Sequence, residues 1–343
     1  MNFASDNITG AAPEVLAALQ DGNTGRLMPY GNDEVSKAAE AKIAGIFETQ
    51  ADVFFVATGS AANALALSVL TPSWGAVFCH LGAHLNDTEC GAPEFYSGGA
   101  KLLPIDGADG KFSAGDLEAA IAAAGVGNIH HCQPKAVSIT QATETGSLYS
   151  LDEIKAISAV CKTHGLKLHM DGARFANAVA ALGCSAADMT WKAGVDIVSF
   201  GATKNGALAA EAVVLFDTSL TEEFAYRRKR GGHLFSKMRL FAVQMDAYAT
   251  DNLWLRNAQL ANANAKRMAD GLDVIPGISQ SQSVQANILF PKMPRSVIDG
   301  LKDDGYLFYE RGGKDVIRLV LAFDTPAEDI DGFIEAARKH AGS

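Results

Sequence analysis

Short apolar runs alternate with alanine-rich stretches through the first two-thirds of this chain. That alternation constrains its fold more than any other feature. Strand-like runs fall at Val53–Ala57, Ala76–His80, Lys101–Ile105, Ala136–Thr140, Leu166–Met170, Ile197–Phe200 and Ala212–Phe216. Helix-like segments lie between several of them, at Ser60–Leu70, Ala114–Ala124, Leu151–Thr163 and Ala176–Leu182. Alternation of this kind makes a mostly parallel sheet with helices on both faces. The last connection, "GATKNGALAAE", is too short for a right-handed helical crossover. Ala212–Phe216 is therefore expected antiparallel to its neighbour. The expected large unit is an α/β sheet of seven strands, mostly parallel, with one reversed.

After about Gly232 the pattern changes. A long helical stretch, Leu240 to Leu272, leads to strand-like pieces at Ala286–Phe290 and Val316–Ala322, and a last helix runs from Pro326 to His340. This predicts a smaller carboxy-terminal α+β domain. The expected division is residues 1–25 as a segment contributing to the site and to an interface, 26–245 as the large domain, and 246–343 as the small one.

Composition narrows the function classes. The chain has 343 residues, 48% of them hydrophobic, which is enough for a sizeable core. Its net charge of −10, with no basic tract longer than "RRKR" (Arg227–Arg230), argues against a nucleic-acid partner. No apolar run approaches the roughly 20 residues that cross a bilayer. The start, "MNFASDNITG", has no basic and apolar leader pattern, so a cytoplasmic protein without a membrane partner is expected. Cys79, Cys90, Cys132, Cys161 and Cys184 form an odd, scattered set and read as reduced, mostly buried thiols. His80 and His84 are four apart, with no adjacent carboxylate or cysteine to complete a zinc site, so no metal is expected.

In open α/β sheets ligands bind beyond the carboxyl ends of the strands. Three segments there carry chemistry. "TGSAAN" (Thr58–Asn63) opens a helix, and the N–H groups of Ser60, Ala61 and Ala62 at its positive end, beside Gly59, form a candidate phosphate cradle. Read alone, it is also a serine N-cap after a tight turn. "DGARFANA" places Asp171 at a strand end and Arg174 one turn on. A buried aspartate needs a partner, which is either Arg174 in a structural ion pair or a protonated heterocyclic nitrogen. Lys204 stands alone after Ile197–Phe200. It is either a solvated surface group or an amine whose pKa is lowered by burial and which can form a Schiff base. Together the cradle, the aspartate and the lysine are the three grips that pyridoxal 5′-phosphate requires.

The chain resembles the fold-type I pyridoxal-phosphate enzymes and, within them, the low-specificity L-threonine aldolases. The resemblance rests on "FASDN" (Phe3–Asn7), "PYGND" (Pro29–Asp33), "ATGSAAN" (Ala57–Asn63), "HLNDTE" (His84–Glu89), "QATETGSLYSLDEI" (Gln141–Ile154), "HMDGARFANA" (His169–Ala178), "SFGATKNG" (Ser199–Gly206) and "IRLVLAFDT" (Ile317–Thr325). Many members read "SKG" where this chain reads "TKNG", which changes the hydroxyl beside the lysine, here Thr203. The resemblance implies that His84 stacks on the cofactor ring and that Arg318 clamps the substrate carboxylate, as suits a planar guanidinium. It implies assistance from Ser5, on an amino-terminal strand, and from Arg174. Tyr30 and "RRKRGGHLFSK" (Arg227–Lys237) would reach a site shared between subunits of a dimer or tetramer. Read from charge alone, that basic run is a solvated helix face.

The implied activity is retro-aldol cleavage of L-threonine, L-allo-threonine and other β-hydroxy-α-amino acids to glycine and an aldehyde. Lys204, Asp171 and His84 are the catalytic candidates, with His84 either the base or the group that orients a water. β-Elimination or transamination of a small amino acid would use the same lysine and aspartate. A binding or regulatory subunit on this fold would have no need to keep lysine, aspartate and arginine together.

Overall fold

The computed structural model describes residues 1–311 and 315–342. All seven expected strands form one sheet: β1 (Asp52–Val56), β2 (Gly75–His80), β3 (Lys101–Ile105), β4 (Gln133–Thr140), β5 (Lys167–Gly172), β6 (Ile197–Phe200) and β7 (Glu211–Leu215). Their order is β1-β7-β6-β5-β4-β2-β3, and β7 runs antiparallel to both its neighbours while the other pairings are parallel. β6 and β7 are buried at every position. A strand covered on both faces reads in sequence as a continuous apolar run for this reason.

The helix Gly59–Leu70 buries ten consecutive residues, Ala61 to Leu70. A helix apolar all round belongs in the interior, and this one crosses behind the sheet with its amino terminus at the end of β1. The helix Leu151–Thr163 starts where the sequence expects. Ser150 accepts the Glu153 N–H, and Glu153 returns the bond to the Ser150 N–H, a reciprocal cap that satisfies two otherwise orphaned donors.

Several expectations need correction. The Leu240–Leu272 stretch is two helices, Arg239–Ala249 and Leu253–Asp273, separated by a turn at Thr250–Asn252 where Asp251 and Asn252 take positive φ. Helical periodicity persists across the break, so hydrophobicity alone hides it. The amino-terminal segment is not a strand at Ser5. Ser5 caps a short 3-10 turn, Asp6–Ile8, by accepting the Asn7 N–H, and only Asn2 makes an isolated bridge, to Leu307. The helices Pro13–Gly22, Glu34–Ile46 and Arg295–Asp303 are not among the expected segments. Of the cysteines, Cys79 and Cys161 are buried, Cys132 and Cys184 are half-buried, and Cys90 is exposed.

The second sheet has short strands: β8 (Ser279–Gln280), β9 (Ile288–Leu289), β10 (Pro291–Lys292), β11 (Tyr309–Arg311) and β12 (Val316–Val320). Ala286–Phe290 thus shrinks to β9, and Val316–Ala322 ends at Val320; β8 and β11 are too short for alternation to betray them. The closing helix is Ala327–Ala341. Helix Leu253–Asp273 serves both sheets. Trp254 and Ala258 belong to the core of the large sheet, whereas Ala265, Met268 and Leu272 join Phe3, Leu319 and Phe333 in the core of the small one.

Candidate active site

One cavity at the carboxyl ends of the parallel strands gathers Gly59, Ser60, His84, Asp171, Arg174 and Lys204, together with Asn63, Glu89 and Glu144, which sequence reasoning had not singled out. A wider cleft of about 830 Å³ opens between the Leu253–Asp273 helix and residues 280–286, but the chemistry-bearing side chains lie in the smaller cavity.

Lys204 lies in a single 3-10 turn, Thr203–Asn205, that is fixed from below. The buried Glu211 carboxylate accepts the Ala202 N–H at 2.6 Å. Asn205 donates to the Tyr248 hydroxyl and the Trp254 carbonyl, both at 2.7 Å. Gly201 brings this loop against the turn after β5, where a Cβ would stand 2.5 Å from the Ala173 carbonyl oxygen. The lysine amine itself makes no hydrogen bond or ion pair among the described residues. The positive charge of Arg174, aided by burial, lowers its pKa against the opposing pull of Asp6, Asp171 and Glu211. A neutral amine is the form that attacks a carbonyl.

Asp171 is buried and accepts Asn63 Nδ2 at 2.9 Å and the Ala173 N–H at 3.0 Å. Asn63 also donates to Glu89 at 3.0 Å, and the same glutamate oxygen lies 2.8 Å from His84 Nδ1. One hydrogen-bonded chain therefore runs Asp171–Asn63–Glu89–His84. The Glu89 bond raises the His84 pKa, favouring imidazolium over the competing effect of burial. Asn63 and Glu89 sit inside "ATGSAAN" and "HLNDTE", and the only sequence signal for them was that neither segment has a structural need for such polar groups.

Arg174 does not pair with Asp171. It makes a two-point bond to the buried Asp6, Nε at 2.7 Å and Nη2 at 2.8 Å, and Asn287 adds a bond to Asp6 at 3.1 Å. Burial pushes the Asp6 pKa up, but Arg174 outweighs it and holds the carboxyl at about 2. Arg318, on β12, donates to the Ala4 carbonyl at 3.2 Å. Burial and the nearby charge of Arg174 bring its pKa down to about 10. These bonds gather Ala4, Asp6, Arg174 and Arg318, with Ser5 next in the chain to Ala4, into one rim group, of which Arg174 lines the cavity and Ser5, Asp6 and Arg318 do not.

The helix terminus at Gly59 leaves fewer N–H groups open than the candidate cradle counted. Thr58, not Ser60, caps the helix: its hydroxyl accepts the Ala61 N–H at 3.1 Å, and its carbonyl accepts the Ala62 N–H at 3.0 Å. Ala61 is thereby occupied and does not line the cavity. Gly59 and Ser60 remain, and a Cβ at Gly59 would meet nothing within 4 Å. Thr203 also lies outside the lining, its hydroxyl 3.3 Å from both the carbonyl oxygen and the nitrogen of Ala210. Tyr30 is on the outer surface under Lys229, whose amine stands 4.8 Å from the ring centre. The basic run divides: Arg227 pairs with Glu223, whereas Arg228 is buried over the Phe54 ring, so the run is not simply a solvated face. His84 has the carboxylate neighbour that the sequence did not disclose, but among the described residues no cluster could hold a metal ion.

Residues 2–294 match the beta-eliminating lyase family. The chain belongs to that family. Within the beta-eliminating lyases, it is 44% identical to the low specificity L-threonine aldolase of a Pseudomonas species, over 94% of this chain and 93% of the relative. It is equally similar, at 44%, to the enzyme of that name in Pseudomonas aeruginosa, over 98% and 96%. Among solved structures a Leishmania major threonine aldolase superimposes with a TM-score of 0.92 at 29% identity, covering 99% of both chains. A Sphingomonas wittichii serine palmitoyltransferase shares the fold alone, with a TM-score of 0.73 at 15% identity. The architecture of this beta-eliminating lyase is thus that of the fold-type I pyridoxal-phosphate enzymes, as the resemblance implied.

Proposed function

We propose that this chain binds pyridoxal 5′-phosphate and cleaves L-threonine, L-allo-threonine and related β-hydroxy-α-amino acids to glycine and an aldehyde. The observation that carries the reading is Lys204: an unbonded amine with a lowered pKa, lining the same cavity as Asp171 and the open helix terminus at Gly59. These residues fit the cofactor. Gly59 and Ser60 would hold its phosphate, Asp171 its ring nitrogen, His84 one ring face and Lys204 its aldehyde. When bound, the cofactor supplies an electron sink for the pair released by Cα–Cβ cleavage.

The chain's own residues do the rest. The Asn63 and Ala173 N–H bonds fix the orientation of the Asp171 carboxylate. Nη1 of Arg174, unbonded among the described residues, and Arg318 supply planar donors for the substrate carboxylate, with Ser5 beside them. Asp6 compensates the charge that Arg174 brings into a buried site. The accessible face of Tyr30 and the Arg227–Lys237 segment suit contact with a second copy of the chain, giving a homodimer or tetramer with shared sites; sedimentation at graded concentrations checks this. No helix among the described residues is long and apolar enough to cross a membrane, and a cytoplasmic location follows from this reading.

Purified protein given L-threonine and the cofactor should release acetaldehyde and glycine in equal amounts. 2-Ketobutyrate instead would point to elimination across Cα–Cβ, and a keto acid with aminated cofactor to transamination. Borohydride reduction followed by peptide mapping should place the pyridoxyl label on Lys204; a label on another lysine refutes the site.

A further inference from the structure

One carboxylate in the cavity of Lys204, that of Glu144, has no part in the reading above. Glu144 lies in the loop after β4 and lines the cavity with His84, Asp171 and Lys204. Its Oε1 accepts the His84 backbone N–H at 2.6 Å, which anchors the group. Its Oε2 is buried with no hydrogen-bond partner among the described residues. An unpartnered buried carboxylate oxygen costs free energy unless something else completes it.

The loop is held in place from several directions. The hydroxyls of Thr145 and Ser147 donate to the Asp109 carbonyl, at 2.7 and 2.5 Å. From the side of the small sheet, Gln285 accepts the Leu148 N–H at 2.7 Å and Gln282 donates to the Thr145 carbonyl. Gly146 turns the chain at φ +77° where a Cβ would stand 3.0 Å from the Ile288 carbonyl oxygen. So many ties around one residue suit a group that must be positioned.

We propose that Glu144, not His84, is the catalytic residue that takes the proton from the substrate's β-hydroxyl, with Oε2 as the acceptor. This rests on the aldolase reading. The proton passes to Oε2 as the O–H electron pair becomes the second bond of the aldehyde C=O. The Cα–Cβ bond breaks and its pair stays on Cα. The aldehyde leaves, Cα of glycine gains one proton and Glu144 gives one up, so the cycle closes without a co-reactant.

Electrostatics favours this choice. Burial and the Asp171 charge raise the Glu144 pKa against the His84 N–H bond and Arg174, making it a stronger base than a solvated glutamate. Cys79 and Tyr149, the other titratable groups that sense its charge, are both pushed towards their neutral forms by burial. His84 is less available as a base, because Glu89 biases it towards the form that already carries its proton.

The test compares the wild-type holoenzyme with Glu144→Gln, whose amide oxygen can still accept the His84 N–H. Turnover of L-threonine should fall by about 10²- to 10⁴-fold. The acid limb of the kcat profile, where protonation of Glu144 silences the base, should vanish. Exchange of the glycine α-proton with D₂O, which involves no β-hydroxyl, should change far less. Independently of turnover, infrared titration of the cofactor-stripped protein should show a carboxyl band with a midpoint above that of an ordinary glutamate, absent from Glu144→Gln. Equal losses in cleavage and exchange, or an unchanged acid limb, would make Glu144 a structural anchor and overturn the proposal. A wild-type protein that exchanges glycine yet releases no aldehyde would refute the aldolase reading instead.

Discussion

At the floor of the cavity, Asp171, Asn63 and the Lys204 loop are held by bonds from adjacent strands and the helix between them. At the rim, Asp6, Arg174, Arg318 and Asn287 come from four places in the chain, and Asp6 meets Asn287 across 281 positions. Floor and rim meet at Arg174, the rim residue that lines the cavity, yet they differ in what binds them. The floor holds a reactive group without a partner, Lys204, on a loop anchored by Glu211 and Asn205. The rim holds a buried charge pair, Arg174 and Asp6, to which Asn287 adds one neutral bond. Removing a floor residue should therefore cost chemistry and little stability, whereas removing a rim residue should cost stability first.

The sharpest break of that contrast is Lys204→Ala. Turnover should fall on the order of 10⁴-fold or more, as when other covalent nucleophiles are lost. The urea midpoint should hardly move, because the amine has no partner to abandon. A large stability loss would show that the lysine is structural.

Asp6→Ala should do the opposite. It leaves the Arg174 guanidinium buried and unpaired, at about 3–5 kcal/mol. Asp6→Ala combined with Arg174→Met should recover part of the stability, read in a double-mutant cycle of urea unfolding. The pair also predicts acid sensitivity. The folded pKa of Asp6 is about 2, below its ordinary value of 3.8, so its contribution is complete above pH 4 and is lost as pH falls towards 2. On the order of 2 kcal/mol should disappear from wild type in that window and not from Asp6→Ala.

Asp171→Asn should keep the fold and the bound cofactor but lose on the order of 10²-fold in kcat, because a neutral amide no longer supports the positive ring nitrogen. Wild-type turnover would reduce Asp171 to a packing role. Arg318→Lys should lower kcat/KM for L-threonine by about tenfold, the loss of one charge-assisted bond, and leave cofactor absorbance unchanged. The mildest effect belongs to the helix cap: Thr58→Ala should destabilise by about 1 kcal/mol, visible as a lowered urea midpoint. If Thr58→Ala instead lowers cofactor affinity strongly, the Ala61 N–H bond is part of the phosphate cradle after all.

The same contrast explains what could be read from sequence. The central strands, β6 and β7 above all, are buried on both faces and read as continuous apolar runs, while the edge strands β1 and β3 are partly exposed and were legible from their short apolar runs; the antiparallel β7 followed from a connection too short to cross over. Asp171 and Lys204 were legible because each directly follows such a strand. The Asp6 partner of Arg174 was not, since the nearest carboxylate in sequence, Asp171, was the wrong one. No local pattern announces a bond spanning 168 residues. The helix break at Thr250–Asn252 was hidden because two helices in line share one periodicity. The true cap, Thr58, lies two residues before the serine that sequence favours, since both Thr58 and Ser60 can cap a helix and only the backbone decides.

The first residues of the chain are built into its last sheet. The Phe3 N–H donates to the Leu307 carbonyl, the Phe3 carbonyl accepts from Val320, and the Phe3 ring lies against Phe333. Synthesis on the ribosome is vectorial, so residues 1–8 are made before the strands that receive them and wait for more than three hundred later residues before their berth exists. Until then Arg174 has no Asp6, and the rim of the cavity cannot assemble around a floor that is already complete. A fragment stopping short of β12 would lack both Arg318 and Val320, the donor to the Phe3 carbonyl, and so would present Lys204 without a fixed amino-terminal segment beside it.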